Sequence, residues 1–211
     1  MFNFEKKISK NRKLVKKLKS LLNFFNYNPE HWIRFTTQVT CKKLLEEKCT
    51  DLNNYNVLEI SGGEYWRENL LFKNYKSLNY PEFDICLNKT EEKFDLIIAD
   101  NIWEHLKFPY RATKNIYEML NENGFFLIIV PFLVRVHEVP IDCSRWTKDG
   151  LMHFLFENGF KYENIITGSW GNKSCVKSNL RKDDRWSRVG FFSNLKNDEK
   201  FPVQVWALAK K

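Results

Sequence analysis

Apolar positions along this chain fall into two periods. Residues 57–61, 94–100 and 125–132 are short apolar runs that predict strands, and 94–100 has almost no polar alternation, the pattern of a parallel strand covered on both faces. Before, between and after them, residues 32–48, 66–72, 110–120 and 147–157 read as helices. A weaker strand pattern lies near 75–80, and two late ones near 162–168 and 203–209. Strands alternating with helices predict an α/β domain built on a mostly parallel sheet.

The punctuation supports this order. Asn123-Gly124 predicts a left-handed stop after the helix at 110–120, and Thr147 predicts a helix cap, with Gly159 beyond that helix's end. After the first strand, Glu59 is followed by Ser61, Gly62 and Gly63. Two adjacent glycines there predict a tight turn whose backbone N–H groups can approach a ligand closely. Residues 81–92 leave room for little more than a loop.

Composition narrows the picture. A chain of 211 residues that is 43% hydrophobic suits one α/β domain with a terminal extension. The formal charge of +8 is concentrated in Lys6, Lys7, Lys10, Arg12, Lys13, Lys16, Lys17 and Lys19, opposed there only by Glu5. Residues 4–25 place Ile8, Val15, Leu18, Leu22 and Phe25 at helical spacing, so residues 1–28 are expected to form a basic amphipathic helix ahead of a domain at 29–211. Its lysine face is either simply solvated or a surface for anionic lipid or nucleic acid. Cys41, Cys49, Cys86, Cys143 and Cys175 are odd in number and contain no Cys-x-x-Cys pair. That argues for reduced thiols in the cytoplasm and against a disulfide frame or a zinc site. The longest apolar run is too short for a membrane span and contains Pro131.

Taken together, the Glu59–Gly63 turn, the run Phe94–Asp100 followed by Asn101-Ile102-Trp103-Glu104-His105-Leu106, and Gly124 before the next strand resemble the Rossmann-like S-adenosylmethionine-dependent methyltransferases, in particular the small-molecule group called type 11. The resemblance implies helices on both faces of the sheet, an antiparallel last strand, and S-adenosyl-L-methionine as cofactor. The family's Glu-x-Gly-x-Gly-x-Gly turn is matched by Glu59, Ser61, Gly63 and Tyr65, with Gly62 between, so two of its three glycines are replaced. On this likeness Glu59, Ser61, Gly62 and Gly63 form the cofactor turn, and Asn79 stands where relatives carry an acid for the ribose diol. Asp84, ahead of Ile85, matches the acid near the adenine edge or serves as a loop-turn residue. Asp100 and Asn101 sit at a strand end, where ligands meet such sheets. Thr36, Thr37, Gln38 and Thr40 would lie near the cofactor if the helix before the first strand acts as a lid; otherwise that helix simply packs.

For the methyl acceptor, His105 is the family's recurrent histidine, either a base or a hydrogen-bonding residue of its turn. The run from His137 through Asp142 and Arg145 to Thr147 resembles the pattern that frames the acceptor pocket in type 11 enzymes. There His137 would take or polarise the acceptor proton, Asp142 orient it, and Arg145 hold a negative part of the substrate. The alternative is an Asp142–Arg145 pair that only organises the loop. The stretches 168–173 and 181–186 mix aromatics with charge and either stack on a ligand or cover the sheet edge. The expected function is methyl transfer to an oxygen or nitrogen of a small-molecule or glycan-like acceptor, with no metal. A cofactor-poor binding module and an RNA methyltransferase recruited by the basic helix are the competing readings.

Overall fold

The computed structural model describes residues 32–138, 140–180 and 196–211. The basic helix expected at 4–25, the boundary at 28 and the stretch 181–186 lie outside these residues. Helix α1 (Trp32–Lys48) leads into β1 (Asn56–Ile60), followed by α2 (Tyr65–Asn69), β2 (Asn74–Leu78) and β3 (Phe94–Asp100). Next come α3 (Pro109–Met119), β4 (Leu120–Pro131), α4 (Lys148–Glu157), β5 (Ile165–Trp170), α5 (Lys173–Asn179) and β6 (Gln204–Lys210). The sheet order is β2-β1-β3-β4-β6-β5. The first four strands run parallel, and β6 lies antiparallel between β4 and β5.

Period-two geometry sends successive residues of each strand to opposite faces. Leu58, Ile97, Ala99, Phe126 and Ile128 pack with Ala112 and Ile116 of α3 and Leu151 and Leu155 of α4. Val57, Leu96, Ile98, Leu127 and Ile129 pack with Ile33, Cys41 and Leu45 of α1, Trp66 of α2 and Cys175 of α5. At the centre of the sheet both faces are therefore dry, which is why β3 and the second half of β4 show no polar alternation. Residues 81–92 form the expected loop without a strand.

The helix stop at Asn123-Gly124 is not where α3 ends. Helix α3 finishes at Met119 with Leu120 already extended, and Leu120 pairs with Phe94 of β3. The register then shifts before Leu96 meets Phe125. The left-handed residue in that irregularity is Asn123, at φ 66°, and not the glycine. Asparagine tolerates this conformation better than most residues. Thr147 does cap α4, its Oγ1 accepting from the Gly150 N–H at 3.0 Å, and Gly159 is left-handed after the helix end. No helix among the described residues is long and apolar enough to cross a membrane, and the five cysteines are free.

Candidate active site

The strands β1, β3 and β4 end on one edge of the sheet, and the turns leaving them gather polar groups that the core excludes. Glu59 is 2% exposed near the end of β1. Its Oε1 accepts from the Gly63 N–H at 3.2 Å and its Oε2 from the Tyr75 hydroxyl. Burial raises the Glu59 carboxyl above its ordinary value, although Tyr75 and Gly63 favour the charged form. Ser61 takes the left-handed conformation at φ 52°, so the chain keeps a glycine-like path without the glycine. The Gly62 N–H donates to Ser77 Oγ at 3.1 Å. A Cβ on Gly62 would lie 2.8 Å from Ser77 Oγ and 2.9 Å from Glu59 Cδ, whereas one on Gly63 would meet nothing within 4 Å. The turn thus closes on the protein at Gly62 and opens outward at Gly63.

Asp100, at the end of β3, is nearly buried and heavily engaged. Gln38 Nε2 donates to its Oδ2 at 2.7 Å, Trp66 Nε1 to the same oxygen at 3.3 Å, and Asn101 Nδ2 to its Oδ1 at 2.6 Å. The Arg34 guanidinium stands 3.7 Å from Oδ1. Asn101 follows in the left-handed conformation and accepts from Gln204 Nε2 at 2.8 Å. Helix α1 therefore reaches the site through Arg34 and Gln38. Thr40 instead donates to the Thr36 carbonyl, and Thr37 is buried.

Two sequence candidates have local partners. Asn79, just past β2, accepts from Ser77 Oγ at 2.9 Å, so it belongs to the network that holds Gly62. Asp84 Oδ1 accepts from the Cys86 N–H at 2.8 Å, the bond of a loop-turn residue, with Ile85 buried beside it.

The second cluster joins the turn after β3 to the loop after β4. The Cys143 N–H donates to the Glu104 carbonyl at 2.7 Å, and His105 Nδ1 lies against the Ile141 carbonyl. A carbonyl only accepts, so that His105 nitrogen carries the hydrogen and acts as a structural tie. Arg145 grips Asp142 through both Nη atoms and also donates to the Ser144 carbonyl at 2.8 Å. The guanidinium expected to hold a negative substrate group is thus committed to Asp142. Asp142 Oδ2 in turn accepts from the His137 N–H at 2.9 Å and lies 3.3 Å from His137 Nδ1. Burial opposes ionisation of Asp142, but Arg145 and the His137 N–H hold its carboxyl below the usual range. Burial depresses the His137 imidazole against the pull of Asp142, which keeps the ring neutral near pH 7.

Sequence reasoning named Glu104 only as part of a motif, yet it is fully buried, and burial pushes its carboxyl up to about 8. It also passed over Arg34, Trp66, Tyr75 and Ser77. The polar cap of Ser77 and Tyr75 at the open side of β2 is visible in hindsight as alternation in that strand, but their partners are not. A hollow lined by Lys89, Lys93, Tyr117, Glu118 and Lys211 lies by the amino-terminal ends of β3 and β4, away from this edge, and Lys89 there pairs with Glu118.

The strand order, the antiparallel β6 and the turn after β1 define the Rossmann-like methyltransferase fold. Solved structures sharing it include a S-adenosylmethionine-dependent methyltransferase from Thermotoga maritima titled a possible histamine N-methyltransferase (14% identity, 94% of this chain and 97% of that one, TM-score 0.57). Another is a methyltransferase of the same dependence from Archaeoglobus fulgidus (12% identity, 92% and 99%, TM-score 0.55). A third is from Clostridium acetobutylicum (13% identity, 94% and 99%, TM-score 0.52). Neither a protein-family model nor a curated protein matches the sequence.

Proposed function

We propose that this chain is a S-adenosylmethionine-dependent methyltransferase acting in the cytoplasm on an oxygen or nitrogen of a small-molecule or glycan-like acceptor. One observation carries the reading. In a methyltransferase fold, buried Glu59 holds a turn that is closed at Gly62 and open at Gly63, beside Asp100 and Asn101 on the same sheet edge. This donor set suits the cofactor: carboxylates accept from its ammonium and hydroxyl groups, and a glycine without Cβ lets its backbone approach. When bound, S-adenosylmethionine supplies an electrophilic methyl group on a sulfonium.

The chain's own residues do the rest by alignment and desolvation. Glu59 and Asp100 bind and orient the cofactor's polar groups, with Ser61, Gly62, Gly63 and Asn101 shaping the backbone around them. Asn79 offers a neutral contact for the ribose, and Asp84, at the loop that seats Ile85 in the core, an acceptor for the adenine edge. On the acceptor side, neutral His137 can take or polarise a proton, and Asp142 orients its ring. Arg145 acts through Asp142, and His105 ties the two loops together.

Calorimetric titration of the full chain with S-adenosylmethionine and S-adenosylhomocysteine tests the reading. Micromolar binding is expected, weakened by about tenfold or more in Glu59→Gln. No heat at millimolar ligand would reduce the protein to a fold without the cofactor.

A further inference from the structure

Glu104 is the least satisfied side chain on the active edge. It is fully buried, and neither carboxylate oxygen has a hydrogen-bond partner among the described residues. Buried polar groups without partners are costly, so a native one points to a ligand that the surrounding atoms are arranged to share. Facing it are two imidazoles. His105 Nε2 lies 3.5 Å from Glu104 Oε1, and the His105 and His137 rings meet edge to face with centroids 5.2 Å apart. One ligating atom from each of Glu104, His105 and His137 falls within 4.8 Å of the others.

The hydrogen bonds around the trio aim it. The Ile141 carbonyl occupies His105 Nδ1, leaving the lone pair on Nε2, the nitrogen nearest Glu104. Asp142, fixed by Arg145, stands 3.3 Å from His137 Nδ1, with Arg145 Nη2 3.4 Å from the same nitrogen. A carboxylate behind a histidine is the usual outer support of a metal-bound imidazole, setting its tautomer and orientation.

We propose that Glu104, His105 and His137 bind a divalent transition-metal ion, with Asp142 as the outer carboxylate that orients His137. Two imidazoles and one carboxylate suit zinc, iron(II), cobalt or nickel better than magnesium or calcium, which prefer all-oxygen shells. Bonds of about 2.0–2.2 Å require the three atoms to draw in by roughly an ångström. Glu104 and His105 share the short turn Trp103–His105, whereas His137 lies in the loop after β4, which makes it the member placed to close the distance. Three protein ligands leave coordination positions for water or an acceptor oxygen, and a bound ion then takes over from His137 the polarising of that oxygen. The expectation of no metal rested on cysteine spacing, and this trio contains no cysteine. The inference goes beyond methyl transfer and holds whether or not S-adenosylmethionine binds.

The test is a cobalt(II) titration of the chelator-stripped, tag-free full chain, followed by visible absorption, with zinc as competitor and no S-adenosylmethionine present. The expected result is saturable uptake of one ion per chain, displaced by zinc, without a thiolate charge-transfer band. Glu104→Gln, which keeps the side-chain shape, and His137→Ala, at a partly exposed position, are each expected to weaken uptake by about tenfold or more. If Glu104→Gln does not fold, His137→Ala alone decides the matter. No saturable uptake at millimolar cobalt, or uptake indifferent to His137→Ala, overturns the proposal. So does a thiolate band abolished by Cys143→Ser, which would assign the ion to the exposed cysteine instead.

Discussion

Gly62 and Gly63 are adjacent, yet their surroundings differ completely, and that difference separates folding from binding. Gly62→Ala forces a Cβ against Ser77 Oγ at 2.8 Å and Glu59 Cδ at 2.9 Å. It is expected to cost about 1–3 kcal/mol of stability, read by chemical denaturation. Gly63→Ala meets nothing and should leave the melting temperature unchanged while weakening S-adenosylhomocysteine binding by about tenfold, read by calorimetry. Glu59 adds a pH signature. Its folded pKa is raised above the ordinary carboxylate value, so its contribution to stability is full below that ordinary value and is lost as pH rises through the raised one. Wild type is therefore expected to lose stability relative to Glu59→Gln across that window, measured by denaturant unfolding at pH 4 to 7, a range set by roughly the ordinary carboxylate pKa and above. At this scale the sequence was partly legible. The acid and the glycine pair announce a turn, but Ser61 adopting a left-handed path follows from the Leu78 carbonyl and the neighbouring strand that hold it, and local propensity argues the other way.

At the scale of elements, apolar periodicity was the reliable guide. Helix α1 occupies Trp32–Lys48 and β3 Phe94–Asp100 as the pattern predicts, the helix burying one face and the strand, apolar throughout, both of its faces. Boundaries set by tertiary pairing were less legible. Helix α3 stops at Met119 because Leu120 is taken into the ladder beside Phe94, and no stop signal in the sequence marks that competition. The cap of α4 is local chemistry and was readable. Thr147→Ala removes the acceptor for the Gly150 N–H and is expected to cost about 1 kcal/mol, read as a lower denaturation midpoint. Because the Thr147 cap of α4 lies two residues after Arg145, the same variant tests how firmly the helix anchors the loop that carries Asp142.

For the whole molecule, charge and chemistry separate along the chain. Eight basic residues lie within residues 6–19, while the groups around Glu59, Asp100 and Glu104 come from the described domain. Changing Lys10, Lys13, Lys16 and Lys17 to glutamine is expected to leave S-adenosylhomocysteine affinity unchanged by calorimetry. The same change should make the protein elute from heparin at lower salt, since long-range attraction follows the summed surface charge. The amino-acid sequence by itself determined the alternation of strands and helices, the burial of the sheet on both faces, the turn after β1 and the cap of α4. Each of these depends on side chains within a few residues of one another. Tertiary structure alone decided that Asp100 is shared by Arg34, Gln38 and Trp66, that Arg145 is committed to Asp142, and that Glu104 faces two histidines. Those groups are brought together from separate loops and helices only when the strands β1, β3 and β4 stack in register, and linear spacing carries no record of that meeting.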